Sequence, residues 1–177
     1  MLLTGTFIRS LDDKLRLAIP KRLRDALGHP EVNVLYLAPG TDCSLALYTE
    51  AAFQRLADQI GQNSPVAQDV RAFSRLFYAR AEQVEVDRQG RLRLPAELAR
   101  LASITKEIVL LGVRDHLEIW DLDSWRRYQD EMQPHYDTIA ESAFAVGMRS
   151  PMGPMSPPPV NMAEGSSDDR VGSFRPR

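Results

Sequence analysis

A nine-residue pattern occurs twice in this chain, and that duplication limits its architecture more than any other feature. Asp12-Asp13-Lys14-Leu15-Arg16-Leu17-Ala18-Ile19-Pro20 is answered 75 residues later by Asp87-Arg88-Gln89-Gly90-Arg91-Leu92-Arg93-Leu94-Pro95, with five of nine positions identical or both aliphatic. The same offset carries Leu23 onto Leu98 and Val34-Leu35 onto Val109-Leu110. At an offset of 72, Leu45-Ala46-Leu47-Tyr48 falls on Leu117-Glu118-Ile119-Trp120, and Phe53 falls on Trp125. The first copy therefore has three more residues in the loop before this strand. One matching nonapeptide could arise by chance; an ordered series of blocks is an internal repeat, and a repeat decides the architecture.

Each copy reads as a small β-rich unit. Phe7 to Leu11 and Gln83 to Val86 read as strands, each followed by a turn at Asp12 or Asp87. Arg16-Leu17-Ala18-Ile19 and Arg91-Leu92-Arg93-Leu94 alternate, which puts their aliphatic residues on one face and turns Arg16 and Arg91 away from the core. Pro20 and Pro95 end these strands and can open a helical turn. Val32 to Leu37 and Glu107 to Leu111 are apolar strands, and Leu45 to Tyr48 and Leu117 to Trp120 close each copy. Thr49 and Asp121 are N-cap residues for the helices that follow. In the first of these, Phe53, Leu56, Ala57 and Ile60 form one stripe and Gly61 suits the C-terminal stop; in the second, Trp125, Tyr128 and Met132 precede Pro134. A further helix is predicted from Ser64-Pro65, with Val66, Val70, Phe73 and Phe77 on one stripe read as core. The expected organisation is two similar halves at residues 4–51 and 80–123, linking helices at 52–79, and a C-terminal helix region at 124–147. Residues 148–177 hold six of the chain's twelve prolines and few large apolar side chains, which predicts a disordered tail.

Composition sets outer limits. The chain has 177 residues, 44% hydrophobic and 26% charged, as expected of a soluble globular protein. No apolar run approaches the roughly 18 residues of a membrane span, and the N-terminus has no basic segment leading into an apolar one. A cytoplasmic location is the expectation. Cys43 is the only cysteine and is read as an inert, structural thiol. His29, His116 and His135 are scattered without metal-ligand spacing, and neither a dinucleotide-binding glycine pattern nor a phosphate loop occurs. These observations argue against an enzyme, and no cofactor, metal or small-molecule substrate is expected.

The net charge of −2 argues weakly against a nucleic-acid partner, but its distribution does not. Between Arg9 and Arg24 six basic residues (Arg9, Lys14, Arg16, Lys21, Arg22, Arg24) stand against two acidic ones, Asp12 and Asp13. Each hairpin presents an outward arginine four residues after an aspartate. An arginine on a β-hairpin can enter the major groove and donate two hydrogen bonds to guanine O6 and N7. The aspartate can hold the guanidinium fork in place. Lys14, Lys21, Arg22, Arg24 and Arg88 suit contacts to backbone phosphates. For a single copy, Asp12 with Arg16 reads as well as a turn-stabilising ion pair without a partner. Retention of the pair in both copies favours a shared role, with Asp12, Lys14, Arg16, Asp87 and Arg91 as the DNA-binding set.

The doubled Asp-x-x-x-Arg-Leu-x-aliphatic-Pro motif resembles the MraZ family, as do Gly5-Thr6-Phe7, the Leu45 to Tyr48 strand and Leu117-Glu118-Ile119-Trp120-Asp121. The resemblance covers roughly residues 1–145. It implies an α+β, mainly β fold: two AbrB/SpoVT-like swapped-hairpin, barrel-like halves in tandem with peripheral helices. It further implies ring-shaped homo-oligomers, nucleoid association, and control of a division and cell-wall gene cluster through short upstream direct repeats on double-stranded DNA. Leu15 stands where the family has glycine, and Gln89 where it has lysine. Glycine there suits a positive φ, and leucine would cost about 1 kcal/mol. Leu15 thus predicts a reshaped first turn or altered DNA reading, with unequal contributions from the two copies. Two other readings stay open: an antitoxin-like AbrB-fold regulator whose tail grips a toxin, and a ring module whose arginines hold protein contacts.

Overall fold

The structure is a computed structural model and describes residues 2–62 and 67–148. In chain order it contains β1 (Leu3–Ser10), β2 (Arg16–Ala18), α1 (Lys21–Leu27), β3 (Val34–Pro39), β4 (Leu45–Thr49), α2 (Glu50–Gly61) and α3 (Gln68–Tyr78). The second half repeats the strands as β5 (Glu82–Glu85), β6 (Arg91–Arg93), β7 (Glu107–Arg114) and β8 (His116–Asp121). It also carries α4 (Ala96–Leu101), α5 (Leu122–Met132) and α6 (Tyr136–Met148). The expected helix start at Ser64-Pro65, Val66 of its stripe, and all of the expected tail beyond Met148 lie outside the described residues.

Six strands form one antiparallel sheet in the order β1-β7-β8-β4-β3-β5, and β2 pairs with β6 in a separate ribbon. Exchanging each strand with its repeat equivalent reverses that order and so leaves the sheet unchanged. The registers obey the same two-fold relation. In the ribbon, Arg16 faces Arg93 and Ala18 faces Arg91 about a central Leu17–Leu92 pair. In the sheet, Leu45 faces Ile119 and Leu47 faces Leu117 about Ala46–Glu118. The first strand of each half has crossed to the other: β1 pairs with β7, and β5 with β3. The halves are thus interlocked, as a swapped-hairpin fold requires. The barrels implied by the resemblance do not close, because β2 and β6 pair with one another and the large sheet ends openly at β1 and β5.

The core follows from the alternation. Leu17 and Leu92 on the ribbon's inner face and Leu37, Leu47, Leu110, Leu117 and Ile119 on the sheet are fully buried. Leu23 of α1 and Leu98 of α4 join the same cluster from equivalent positions. Each such side chain contributes roughly 1.5–3 kcal/mol. Residues from both copies fill this main core, while a smaller cluster of Val109, Leu111, Trp120 and Leu122, with Trp125 and Tyr128 against it, belongs to the second half alone.

Several local expectations need correction. Pro20 and Pro95 sit one residue earlier than expected, as the N-cap residues of α1 and α4 rather than their first helical residues; the Pro20 carbonyl accepts from Arg24 N–H at 3.0 Å. Gly61 is the last residue of α2 and Gln62 caps it at φ −73°, so no left-handed glycine ends this helix. Cys43 is exposed, not buried. It lies with Asp42 in the β3–β4 connection at φ 62° and 54°, where the first copy holds its extra residues. Of the α3 stripe, Phe77 is buried and stacks on Phe53, which stacks on Tyr36 at 4.6 Å; Phe73 is half exposed. Thr49 and Asp121 cap as expected, accepting from Ala52 N–H and from Asp123 and Ser124 N–H.

The chain divides into compact units at Met1–Pro134 and His135–Arg177. In the second, α6 exposes Tyr136, Ile139 and Phe144. Among the described residues no helix is long and apolar enough to cross a membrane.

Candidate nucleic-acid interface

The two motif turns are built alike, atom for atom. In the first, Asp12 Oδ1 accepts from Lys14 N–H and Arg16 N–H, each at 2.9 Å, while Oδ2 accepts from Arg16 Nε at 2.6 Å. In the second, Asp87 Oδ1 accepts from Gln89 N–H and Arg91 N–H, each at 2.9 Å, and Oδ2 accepts from Arg91 Nε at 2.9 Å. One carboxylate therefore folds the turn with one oxygen and aims the arginine with the other. Both carboxyls are held below the ordinary carboxylate range, chiefly by the backbone N–H of Arg16 and Arg91 respectively, against an opposing effect of desolvation. They stay ionised at neutral pH. The arginine side chains are about one-third exposed, 34% for Arg16 and 31% for Arg91, and each guanidinium is held by its aspartate rather than free.

Leu15 does not reshape the first turn. Its φ is 56° against 75° for Gly90, and the closing hydrogen bonds are equivalent: Leu15 N–H to Asp12 O at 2.9 Å, Gly90 N–H to Asp87 O at 2.8 Å. The turns are also clamped crosswise. Gly90 O accepts from Ile19 N–H at 3.0 Å, and Leu15 O accepts from Leu94 N–H at 2.9 Å. The leucine side chain packs against the core, which offsets the left-handed strain. Gly90 has a different neighbour: a Cβ there would overlap the Arg24 guanidinium, whose Nε is buried without a hydrogen-bond partner. The repeat equivalent of Arg24 is Ala99, which is buried in the core. A large turn residue on one side and a large helix residue on the other thus balance across the two-fold relation.

The outer face of the β2–β6 ribbon carries Arg16, Ala18, Arg91 and Arg93. Arg93 lies outside the repeated motif residues, since its equivalent in the first copy is Ala18. Its signal was present in the alternation Arg91-Leu92-Arg93-Leu94, which sends Arg93 to the same side as Arg91. Around the ribbon, Lys14 and Arg88 are exposed in the turns. Lys21 is ion-paired with Asp25 at 2.6 Å, and Arg22 donates to Thr4 Oγ1 at 3.4 Å. The structure thus brings Asp12, Lys14 and Arg16 together in one turn and Asp87, Arg88 and Arg91 in the other. Arg24 is drawn away from a free surface role and onto the second turn.

A family model for the MraZ protein, described as antitoxin-like, matches residues 2–76 and again residues 77–146. The chain belongs to the MraZ family. Each matched segment contains one of the two aspartate–arginine turns. The chain is similar to the protein named "Transcriptional regulator MraZ" of Mesoplasma florum, at 35% identity over 81% of this chain and 97% of that one. It is similar to the protein of the same name from Mycobacterium avium, at 37% identity over 79% and 95% of the two chains. The Finegoldia magna protein, again so named, is 33% identical over 76% and 92%. The matched segments cover nearly the whole length of each of these relatives.

Proposed function

We propose that the chain is a sequence-specific, DNA-binding transcriptional regulator. The observation that carries this reading is the pair of matching turns on one ribbon, each presenting an arginine whose fork is set by an aspartate. A pre-oriented guanidinium loses less entropy on binding and can read guanine O6 and N7 bidentately. In this role Arg16 and Arg91 read bases and Asp12 and Asp87 orient them. Lys14 and Arg88 meet backbone phosphates, with Lys21 and Arg22 at the periphery. The relatives' names support regulation of transcription rather than catalysis.

The finer reading rests on family membership. The target is the division and cell-wall gene cluster, with the chain's own gene included, reached through short direct repeats upstream. The protein acts at the nucleoid in the cytoplasm as a ring-shaped homo-oligomer. The open sheet edges at β1 and β5 and the exposed Leu2 and Ile8 support self-association, since unpaired strand edges and exposed apolar side chains favour partners. A gel-shift of the full chain against its own upstream region tests the proposal. A shift that survives excess scrambled duplex is expected, and equal competition by the scrambled duplex would contradict it.

A further inference from the structure

On the short β2–β6 ribbon Arg16 and Arg93 are direct cross-strand partners, and their side chains share its outer face. Cβ atoms of such partners lie about 4.5–5.5 Å apart, and like charges there are destabilising. Asp12 neutralises Arg16 at 2.6 Å. Among the described residues Arg93 has no ion pair, and it is exposed. Its flank toward β5 borders a groove lined by Glu82 and Glu85, neither of which reaches ion-pair distance. Those carboxylates disfavour an anion within that groove, which Leu15 also lines. The position equivalent to Arg93 in the first copy is Ala18, which faces Arg91. The extra cation therefore stands at one end only of an otherwise two-fold ribbon.

We propose that Arg93 binds a backbone phosphate of duplex DNA beside Arg16, at one end only of the two-fold-like ribbon; this rests on the DNA-binding reading above. Arg16 is already paired with Asp12, so a phosphate supplies Arg93 with the counter-charge it lacks in the free protein.

The test is a titration of the full chain and of Arg93→Ala, Ala18→Arg and Arg91→Ala against the native upstream duplex and a scrambled one, at several salt concentrations, with thermal melts alongside. Arg93→Ala is expected to weaken both duplexes by the same factor and to lower the log–log salt slope by about one. It should melt no lower than the parent. Ala18→Arg is expected to raise the slope by about one. Overturning results are an unchanged slope in either variant, a loss confined to the native duplex, or a clear drop in the melting temperature of Arg93→Ala. If Arg93→Ala is silent while Arg91→Ala loses discrimination, the DNA-binding reading stands and this inference alone fails. If both are silent, the two fall together.

Discussion

At the scale of single residues, the motif works because aspartate is short and bifunctional. Its two oxygens close a turn and fix a guanidinium together, which glutamate could not do from the same Cα. The position before each arginine must adopt a positive φ, and the chain meets that demand in two ways. Gly90 does so without strain but leaves a space that Arg24 fills; Leu15 accepts strain and fills its own space. Gly90→Ala should therefore cost about 1–3 kcal/mol, from left-handed strain plus collision with Arg24. Adding Arg24→Ala should recover the collision and leave about 1 kcal/mol of strain. Urea unfolding of the two variants checks this, and a double variant no more stable than Gly90→Ala would show that the collision is not the cause.

At the scale of elements, strands that alternate were readable and their partners were not. Leu17 and Leu92 announced an inner face, yet nothing in Phe7 to Leu11 says that this strand runs back to Leu3 and pairs with β7 of the other copy. That extension depends on a partner more than a hundred residues away in sequence, which periodicity cannot see. The motif residues were legible because they occur twice. Arg93 was harder to single out because its equivalent is Ala18. The constraint on β8 was likewise hidden. His116 begins this strand, faces Tyr48 across the β4 pairing and stacks on it at 4.9 Å. Glu118, 3.7 Å from Nε2, and Asp115, 3.1 Å from Nδ1, raise the His116 pKa above its ordinary value against partial burial. A raised pKa in the fold means that the protonated ring stabilises it. That stabilisation is complete below about pH 6 and is lost as pH rises through the folded value. Melting temperatures of the parent and His116→Gln should converge as pH rises through this range. A difference that is constant with pH would rule the effect out.

At the scale of the whole molecule, one chain does what a symmetric dimer of small hairpin units would do. Fusing the copies lets both fill one core, and it lets each diverge: Lys14 against Gln89, Leu15 against Gly90, Ala18 against Arg93. On the proposed DNA-binding reading a single ribbon reaches few bases, so useful affinity calls for linked copies acting through effective concentration. The protein is accordingly expected to sediment as a homo-oligomer at micromolar concentration; a monomer both with and without DNA would contradict this. The central claim is that the aspartate-held arginines read bases. Arg91→Ala tests it most directly, in a binding titration of the full chain against the native upstream duplex and a series with single base changes. The account predicts a loss of roughly 1–3 kcal/mol per lost contact, compounded over engaged subunits, together with flattened discrimination at one base position. An equal loss on native and scrambled duplexes, with discrimination intact, would make the arginine a phosphate clamp and contradict the account.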